Sequence, residues 1–214
     1  MNVTVIDCGV GNLRSLGRGL ERADAEVRVT DDPDRIADAA ALVLPGVGAF
    51  EECMRSSEPF YDVLRETATE TPILGICVGL QLLFTQGIEG APDGGSIEGL
   101  DLISGQVERL PTGEVKVPHV GWNELRVERD HPLVAGIDDG AYAYFVHSYC
   151  STAEGATVAG CEYGPEFAAV AANEAGNVMG TQFHPEKSGA TGLKILENFV
   201  EYARAYRQSR TAAD

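Results

Sequence analysis

The chain has 214 residues, of which 44% are hydrophobic and 23% charged, a composition typical of a globular protein with one or two domains. Its 33 acidic and 16 basic residues give a net charge of −17, which excludes a general nucleic-acid or anionic-membrane binder because both surfaces would repel it. No apolar run is long enough to span a membrane. The first residues also lack the basic and apolar regions of a signal peptide, so we expect a cytoplasmic protein.

The negative charge is spread along the chain, for example in TDDPDR and GIDDG, and does not form a terminal tail. Lysine is scarce, with only Lys116, Lys187 and Lys194. Two interpretations stay open at this point. The acidic residues are either an ordinary solvated surface or an adaptation to a salty cytosol, where screening makes self-repulsion tolerable.

The first half of the chain alternates between predicted strands and helices. Residues 3–7 form an apolar run, and Leu13, Leu16 and Leu20 then recur with helical spacing. Further strands are predicted at 25–30, 41–48 and 71–77, with helical stretches at 51–54, 61–69 and 78–86. This alternation predicts an α/β fold with a mostly parallel central sheet and helices on both faces.

The second half has a different pattern. After residue 87, short alternating strands are separated by Gly, Asp, Asn and Pro, which predicts antiparallel additions to the sheet. Residues 193–206 form a final amphipathic helix, and 207–214 are expected to be a frayed tail. Because no repeat or long linker divides the chain, we expect residues 1–206 to form a single domain.

The cysteine and histidine residues indicate no structural cross-link. Five cysteines form an odd set without a CxxC pair, and the four histidines do not cluster with them, so neither a disulfide framework nor a metal site is expected. The glycines of GVGNLRS follow the first strand, but no GK[ST] follows them. A nucleotide-binding role for that loop is therefore not expected.

A candidate nucleophile lies where a buried strand turns into a helix, in the segment GICVGLQ around Cys77. Flanking glycines permit a tight turn, so the segment has the pattern of a nucleophile elbow with Cys in place of Ser. The start of the following helix would favour the thiolate. The alternative is a buried structural cysteine in a glycine-rich turn.

A candidate base follows another apolar strand in QFHPEKS. With Pro185 between them, His184 and Glu186 are expected to lie on an extended segment and project to the same side. The carboxylate would then hold the imidazole tautomer while the other ring nitrogen faces Cys77. The alternative is a surface turn with its histidine in solvent.

The loop PGVG ends a third predicted strand, and ligands of parallel sheets gather at that edge. Its glycines Gly46 and Gly48 allow backbone N–H groups to turn toward an oxyanion. The N–H of Val78, which follows the candidate nucleophile, would be a second donor. By itself, PGVG is a weak signal that is more typical of an ordinary loop.

PGVG, GICVGLQ and QFHPEKS, in that order, resemble the class I (triad) glutamine amidotransferases. The resemblance implies a flavodoxin-like α/β fold and hydrolysis of glutamine to glutamate and ammonia. IDCGVGNLRS, VPHVGWNEL and YFVHSY resemble, more specifically, the glutaminase subunits of imidazole glycerol phosphate synthases of histidine biosynthesis. The similarity covers about residues 2–202. It implies no cofactor and a barrel-shaped cyclase subunit that receives the ammonia in a heterodimer.

The resemblance also assigns roles to individual residues. It implies that Cys77 is the nucleophile, His184 the general base and acid, and Glu186 its orienting carboxylate. The positions that match substrate contacts are Gly46, Gly48, Val78, Gln81, Ser148 and Tyr149. The resemblance places Asn12, Arg14 and Trp122 at the partner interface. Lys187, next to Glu186, and Tyr144, in the strand that leads to Ser148, are candidates for the partner contact and a gate because they lie beside the candidate active site. The alternative for Lys187 is an ordinary salt bridge.

Some features leave alternatives open. Many relatives have Thr and Arg where this chain has Ser148 and Cys150, so a charge contact at position 150 is in doubt. His119 and His147 are expected to be packed side chains, and Trp122 belongs either to the core or to the interface. The rival functions are a glutaminase for another synthase and a non-catalytic scaffold that activates a partner.

Overall fold

The computed structural model describes residues 1–9, 11–153 and 155–211. The strands, in chain order, are β1 (Asn2–Ile6), β2 (Glu26–Thr30), β3 (Leu42–Gly46), β4 (Ile73–Cys77), β5 (Phe84–Gly87), β6 (Ile97–Glu98), β7 (Ile103–Arg109), β8 (His119–Glu124), β9 (Arg126–Val127), β10 (Tyr142–His147), β11 (Tyr149–Ser151), β12 (Thr157–Glu162), β13 (Glu166–Ala172) and β14 (Val178–Thr181). The α-helices are α1 (Leu13–Arg22), α2 (Pro33–Ala37), α3 (Phe50–Ser57), α4 (Tyr61–Thr67), α5 (Val78–Leu83) and α6 (Gly189–Thr211).

The central sheet has eight strands in the order β2-β1-β3-β4-β14-β13-β12-β9. The strands from β2 to β14 pair in parallel, and β13, β12 and β9 add antiparallel pairs. The α/β class with antiparallel strands in the second half is thus confirmed, although β14 itself is parallel to β4. Because β1, β3, β4 and β14 are parallel, the loops that follow them meet at one edge of the sheet.

The apolar runs of the sequence form the buried central strands of this sheet. Every residue of β3 and β4 is buried, as expected for parallel strands covered by helices on both faces. In α1 the leucines Leu16 and Leu20 are buried while the rest of the helix is partly or fully exposed. The amphipathic spacing of α1 therefore fixes which of its faces packs on the sheet.

Two smaller sheets complete the fold: a ribbon of β8 and β10, and a four-stranded sheet in the order β11-β7-β5-β6. The prediction of one helix over 78–86 is wrong, because α5 ends at Leu83 and β5 follows. The N–H groups of Leu100 and Leu102 donate to the carbonyls of Leu82 and Leu83, at 2.8 and 2.9 Å. These bonds come from a distant segment and bind the last carbonyls of α5, so the helix stops there.

The C-terminal helix is longer than predicted, since α6 runs from Gly189 to Thr211. Residues 207–211 are helical and not frayed, while 212–214 lie outside the described residues. Arg210 forms an ion pair with Glu70 at 2.9 Å, and an arginine in the last turn also complements the helix dipole. Among the described helices, none is both long and apolar enough to cross a membrane.

Candidate active site

Cys77 is the last residue of β4 and the N-cap of α5, with φ +55° and ψ −112°. Residues other than glycine rarely adopt this backbone conformation, and such strained residues are concentrated at functional sites. The flanking glycines are required by packing. A Cβ on Gly79 would lie 1.8 Å from the Leu44 carbonyl oxygen, and one on Gly75 would lie 2.7 Å from the backbone N of Leu80. The Gly-x-Cys-x-Gly pattern therefore allows α5 to pack directly on β3 and β4.

His184 and Glu186 are brought together by a turn. The expectation of an extended segment is wrong: His184 is the N-cap of a 3-10 helix over Pro185–Lys187. The carbonyl of His184 accepts hydrogen bonds from the Lys187 N–H at 3.0 Å and the Ser188 hydroxyl at 2.7 Å, and these close the turn. His184 Nδ1 then lies 3.0 Å from Glu186 Oε1, with both side chains buried.

His184 also hydrogen-bonds to Cys77, so it joins the thiol to the carboxylate. Because Nδ1 is used by Glu186, Nε2 is the ring nitrogen left for the sulfur. Burial alone lowers the pKa of His184, but the hydrogen bonds to Cys77 and Glu186 and the charges of both partners outweigh it and raise the pKa to about 9. The contacts thus favour the protonated imidazolium form of His184.

Cys77 and His184 border a cavity of about 380 Å³ at the carboxyl edge of the sheet, whereas Glu186 is not among the residues that line it. Its wall includes the predicted residues Gly48, Val78, Gln81, Ser148 and Tyr149. Gly48 has φ +103°, in the region that favours glycine.

Gly46 is placed differently from the other predicted substrate contacts. It is not among the residues that line the cavity. A Cβ on Gly46 would lie 2.5 Å from the backbone N of Gly79. Gly46 therefore allows β3 to approach the turn that carries Cys77.

Gln81 connects the cavity wall to neighbouring segments. Its Nε2 donates to the Tyr149 carbonyl at 2.8 Å and to Gln182 Oε1 at 3.0 Å. Its Oε1 is buried and has no partner among the described residues. A buried acceptor without a partner costs free energy.

The two histidines expected to be packed side chains form a buried pair. His119 Nδ1 lies 3.0 Å from His147 Nε2, and His147 Nδ1 lies 3.0 Å from the Tyr149 carbonyl. Burial is the main cause that lowers the pKa of His119 to about 4 and that of His147 to about 3, so both are neutral. Donation from His147 to the Tyr149 carbonyl leaves Nε2 as the acceptor for His119. The pair supports the same carbonyl that binds Gln81.

Two residues of the site were missed by the sequence analysis. Glu89 lines the cavity and accepts a hydrogen bond from the Phe50 N–H at 2.9 Å, and burial is the main cause that raises its pKa. Gln182 Nε2 lies 3.8 Å from Cys77 Sγ. The sequence could have indicated Gln182 as a site residue, because it lies in the same motif as His184, two residues before it. No motif in the sequence around Glu89 indicates that it belongs to the site.

The residues predicted for a partner interface lie on the β8–β10 ribbon, at the cavity and at the start of α1. Trp122 and Tyr144 are directly opposite in the β8–β10 ribbon, with ring centroids 5.8 Å apart, and Trp122 is 54% exposed. Lys187 is exposed and lines the cavity. Asn12 caps α1 by accepting from the Ser15 N–H at 3.3 Å, and Arg14 is exposed on the same helix.

Known proteins are similar to this chain along nearly its whole length. The sequence profile of the family described as "Glutamine amidotransferase class-I" matches residues 4–203. The imidazole glycerol phosphate synthase subunit HisH of Halobacterium salinarum is 57% identical over 205 residues, which cover 94% of this chain and 93% of the relative. The protein of the same name from Natronomonas pharaonis is 55% identical over 204 residues, 94% of each chain.

A solved structure supports the fold independently. The structure of PurLQS from Thermotoga maritima matches with a TM-score of 0.70 at 20% identity, covering 94% of this chain and 98% of that chain. Taken with the profile match and the identities above 50%, this shows that the chain belongs to the class-I glutamine amidotransferase family, within the group of imidazole glycerol phosphate synthase subunits HisH.

Proposed function

We propose that Cys77, His184 and Glu186 form the catalytic triad with which this chain, as the glutaminase subunit of imidazole glycerol phosphate synthase, hydrolyses glutamine to glutamate and ammonia. One observation carries the assignment: His184 hydrogen-bonds both to Glu186 and to a strained cysteine at the edge of a cavity. A nucleophile, a base and an orienting group within hydrogen-bond reach are the arrangement that covalent catalysis requires.

The reaction begins with attack of the Cys77 sulfur on the side-chain amide carbon of glutamine. His184 accepts the thiol proton as the sulfur attacks, and its pKa of about 9 keeps the resulting imidazolium protonated at neutral pH. Glu186 holds the ring and balances its charge. The sulfur–carbon bond forms as the carbonyl electron pair moves onto oxygen, which gives a tetrahedral oxyanion.

The oxyanion is stabilised by backbone donors. Val78 is the first residue of α5, so its N–H has no partner within that helix. The loop at Val47 and Gly48 faces it across the cavity. Two donors aimed at the developing charge would contribute several kcal/mol to catalysis, with about 3–4 kcal/mol lost for each one removed.

The intermediate then collapses in two steps. His184 donates its proton to the departing nitrogen, the carbon–nitrogen bond breaks, and ammonia leaves a thioester on Cys77. The neutral imidazole next takes a proton from water, whose oxygen attacks the thioester. Glutamate leaves as the sulfur–carbon bond breaks, and Cys77 and His184 return to their starting state.

The cavity wall offers groups for the amino-acid end of the substrate. The Glu89 carboxylate is an acceptor that suits an α-ammonium group. The segment of Ser148 and Tyr149 supplies backbone and hydroxyl groups in the same wall. A carboxylate in this wall favours an amino acid over a simple amide.

A cyclase subunit is the proposed partner, in a heterodimer that passes ammonia from one site to the other. One face of the β8–β10 ribbon exposes alternating apolar side chains: Val120 at 56%, Trp122 at 54%, Tyr142 at 52% and Val146 at 36%. Exposed aromatic groups of this kind anchor protein interfaces. Val146 also lines the cavity, so a partner docked here would lie next to the ammonia as it forms.

The product of the partner would be imidazole glycerol phosphate together with aminoimidazole carboxamide ribotide. We further propose a cytoplasmic location and a single domain over residues 1–206. The catalytic steps above use only side chains and backbone groups of this chain. They require no cofactor.

A glutamine-mimicking electrophile tests the proposed function. We expect 6-diazo-5-oxonorleucine to modify Cys77 alone among the five cysteines, and glutamate release to depend on the cyclase subunit. Cys161, which is 1% exposed and lies on β12, is the internal control for non-selective labelling. No labelling at Cys77, or no glutamate release with the cyclase present, would favour the non-catalytic scaffold. Ammonia delivery to a different synthase would favour the other rival.

A further inference from the structure

A second cysteine contacts a residue of the active-site cavity wall, on the side away from the cavity. The Cys53 thiol, on α3, donates to the Val47 carbonyl at 3.2 Å, and the residue is 2% exposed. Burial is the main cause that raises the pKa of Cys53 to about 11, so the thiol is protonated at neutral pH and acts as a donor. Val47 and Gly48 line the cavity that contains Cys77.

This hydrogen bond determines how one peptide group is turned. The Val47–Gly48 peptide is trans, so its C=O and N–H point in opposite directions. With the Val47 carbonyl held toward α3, the Gly48 N–H is directed away from α3. Within the described part of the chain, no backbone or side-chain acceptor takes the Gly48 N–H. It is therefore a free donor in a residue that lines the cavity.

The helix that carries Cys53 is itself firmly held. The N–H of Phe50 donates to Glu89 at 2.9 Å, and the N–H of Cys53 donates to the Ala49 carbonyl at 3.0 Å. The Phe50 side chain is fully buried, and a Cβ on Gly87 would lie 3.0 Å from its ring. The first turn of α3 is thus packed on one side and hydrogen-bonded at its start, which makes it a rigid support for the loop.

We propose that Cys53 is a positioning residue for glutamine hydrolysis, whose thiol fixes the Val47–Gly48 peptide so that the Gly48 N–H faces the oxyanion beside the Val78 N–H. This inference rests on the proposed function. Without the thiol, the peptide plane can rotate on its flexible glycine and the donor is lost for part of the time. The loss falls on kcat and not on KM, because the oxyanion exists only beyond the ground state.

The test compares Cys53→Ala, Cys53→Val and Cys53→Ser with the control Cys161→Ala, all assembled with the cyclase subunit. Valine fills nearly the volume of cysteine without a donor, and serine restores a donor. Cys161 is as buried as Cys53, but its thiol makes no hydrogen bond within the described residues. We expect kcat to fall roughly 3- to 10-fold in the Ala and Val variants, the range of one neutral hydrogen bond. Serine should retain at least about half of the activity.

Alkylation of Cys77 by iodoacetamide distinguishes loss of the positioned Gly48 N–H from a general disturbance of the active site. Alkylation uses the same thiolate but forms no oxyanion, so its rate should be unchanged in every Cys53 variant. The inference is overturned if the Ala and Val variants match Cys161→Ala, if serine fails to rescue, or if alkylation slows in parallel with hydrolysis. An inactive wild-type complex would refute the proposed function itself, whereas an active wild type with unaffected variants refutes only the role of Cys53.

Discussion

Nδ1 of His184 and Oε1 of Glu186 lie 3.0 Å apart because the chain turns between them. Glu186→Gln keeps the size of the side chain but removes the charge that stabilises the imidazolium. A glutamine amide can also donate to Nδ1 and impose the wrong tautomer. We expect glutaminase activity to fall by roughly 10²–10⁴ with little change in KM. Glutamate release is the measurement, and Glu201→Gln, an exposed carboxylate on α6, is the control. Equal activity of the two variants would remove Glu186 from the triad.

Cys77→Ser should abolish glutamine-dependent turnover while leaving the fold intact. A hydroxyl has a far higher pKa than a thiol, so an imidazole matched to a thiol cannot activate it. The cyclase partner should still form product from free ammonia at raised pH. Product formation from glutamine and from ammonium salts is to be compared in the same complex. Retained turnover of glutamine in the variant would contradict the triad.

The pKa of His184 is raised to about 9 by Cys77 and Glu186. Because the pKa is raised, the ion pair between His184 and Glu186 is fully present at a pH below the ordinary pKa of histidine. It is lost as the pH rises through about 9. Activity limited by the imidazolium should therefore decline on the alkaline side near that pH. In Cys77→Ala the contacts with sulfur vanish, and we expect the pKa of His184 to drop. NMR titration of the histidine side chains measures it, and an unchanged pKa in the variant would show that Cys77 does not contact the ring.

Local sequence patterns were sufficient to predict the elbow and the position of the other catalytic candidates. Gly75 and Gly79 are needed where α5 touches the sheet, and strong steric requirements of this kind leave visible motifs. The motif that contains His184 was found although its backbone was predicted incorrectly. The 3-10 turn still brings His184 Nδ1 within 3.0 Å of Glu186 Oε1, which is the contact that the extended segment was expected to give.

Other features depend on contacts between distant segments. The end of α5 is set by Leu100 and Leu102, which lie well beyond the helix in the sequence. Glu89 joins the site because it accepts from the Phe50 N–H, 39 residues away. The donation from Cys53 to Val47 spans six residues but depends on how α3 meets the loop. No periodicity or motif in one segment encodes such pairings, so only the structure could reveal them.

The net charge of −17 predicts that stability rises with salt concentration. Screening shortens the range of repulsion to a few ångströms at about 1 M salt, which favours the compact state of a strongly acidic chain. We expect the melting temperature and the activity to increase from dilute buffer to molar potassium chloride. Sucrose at the same water activity is the control, because it stabilises proteins by being excluded from their surface but does not screen charge. An unchanged melting temperature and full activity in dilute buffer would support an ordinary solvated surface instead.

The exposed Trp122 is connected to the triad through Tyr144. The Tyr144 ring contacts Trp122, while its backbone carbonyl accepts from the His184 N–H at 3.1 Å and its N–H donates to Ser188 at 2.9 Å. A partner that binds this ribbon and shifts Tyr144 would therefore also shift the segment that contains His184, because the two are hydrogen-bonded. Lys187 follows that segment and lines the cavity through which ammonia would leave.

We predict that the isolated chain is nearly inactive and that the partner with its nucleotide ligand raises the glutaminase rate by at least about 10². Tyr144→Ala keeps the backbone bonds but removes the ring, and Lys187→Ala removes the cation at the cavity mouth. Both should lower the ratio of cyclase product to glutamate released more than they change the KM for glutamine. Lys194→Ala, on α6, is the matched control because it lies outside the residues that line the cavity. Full activity of the isolated chain, or an unchanged product ratio in both variants, would show that Tyr144 and Lys187 do not couple the two sites.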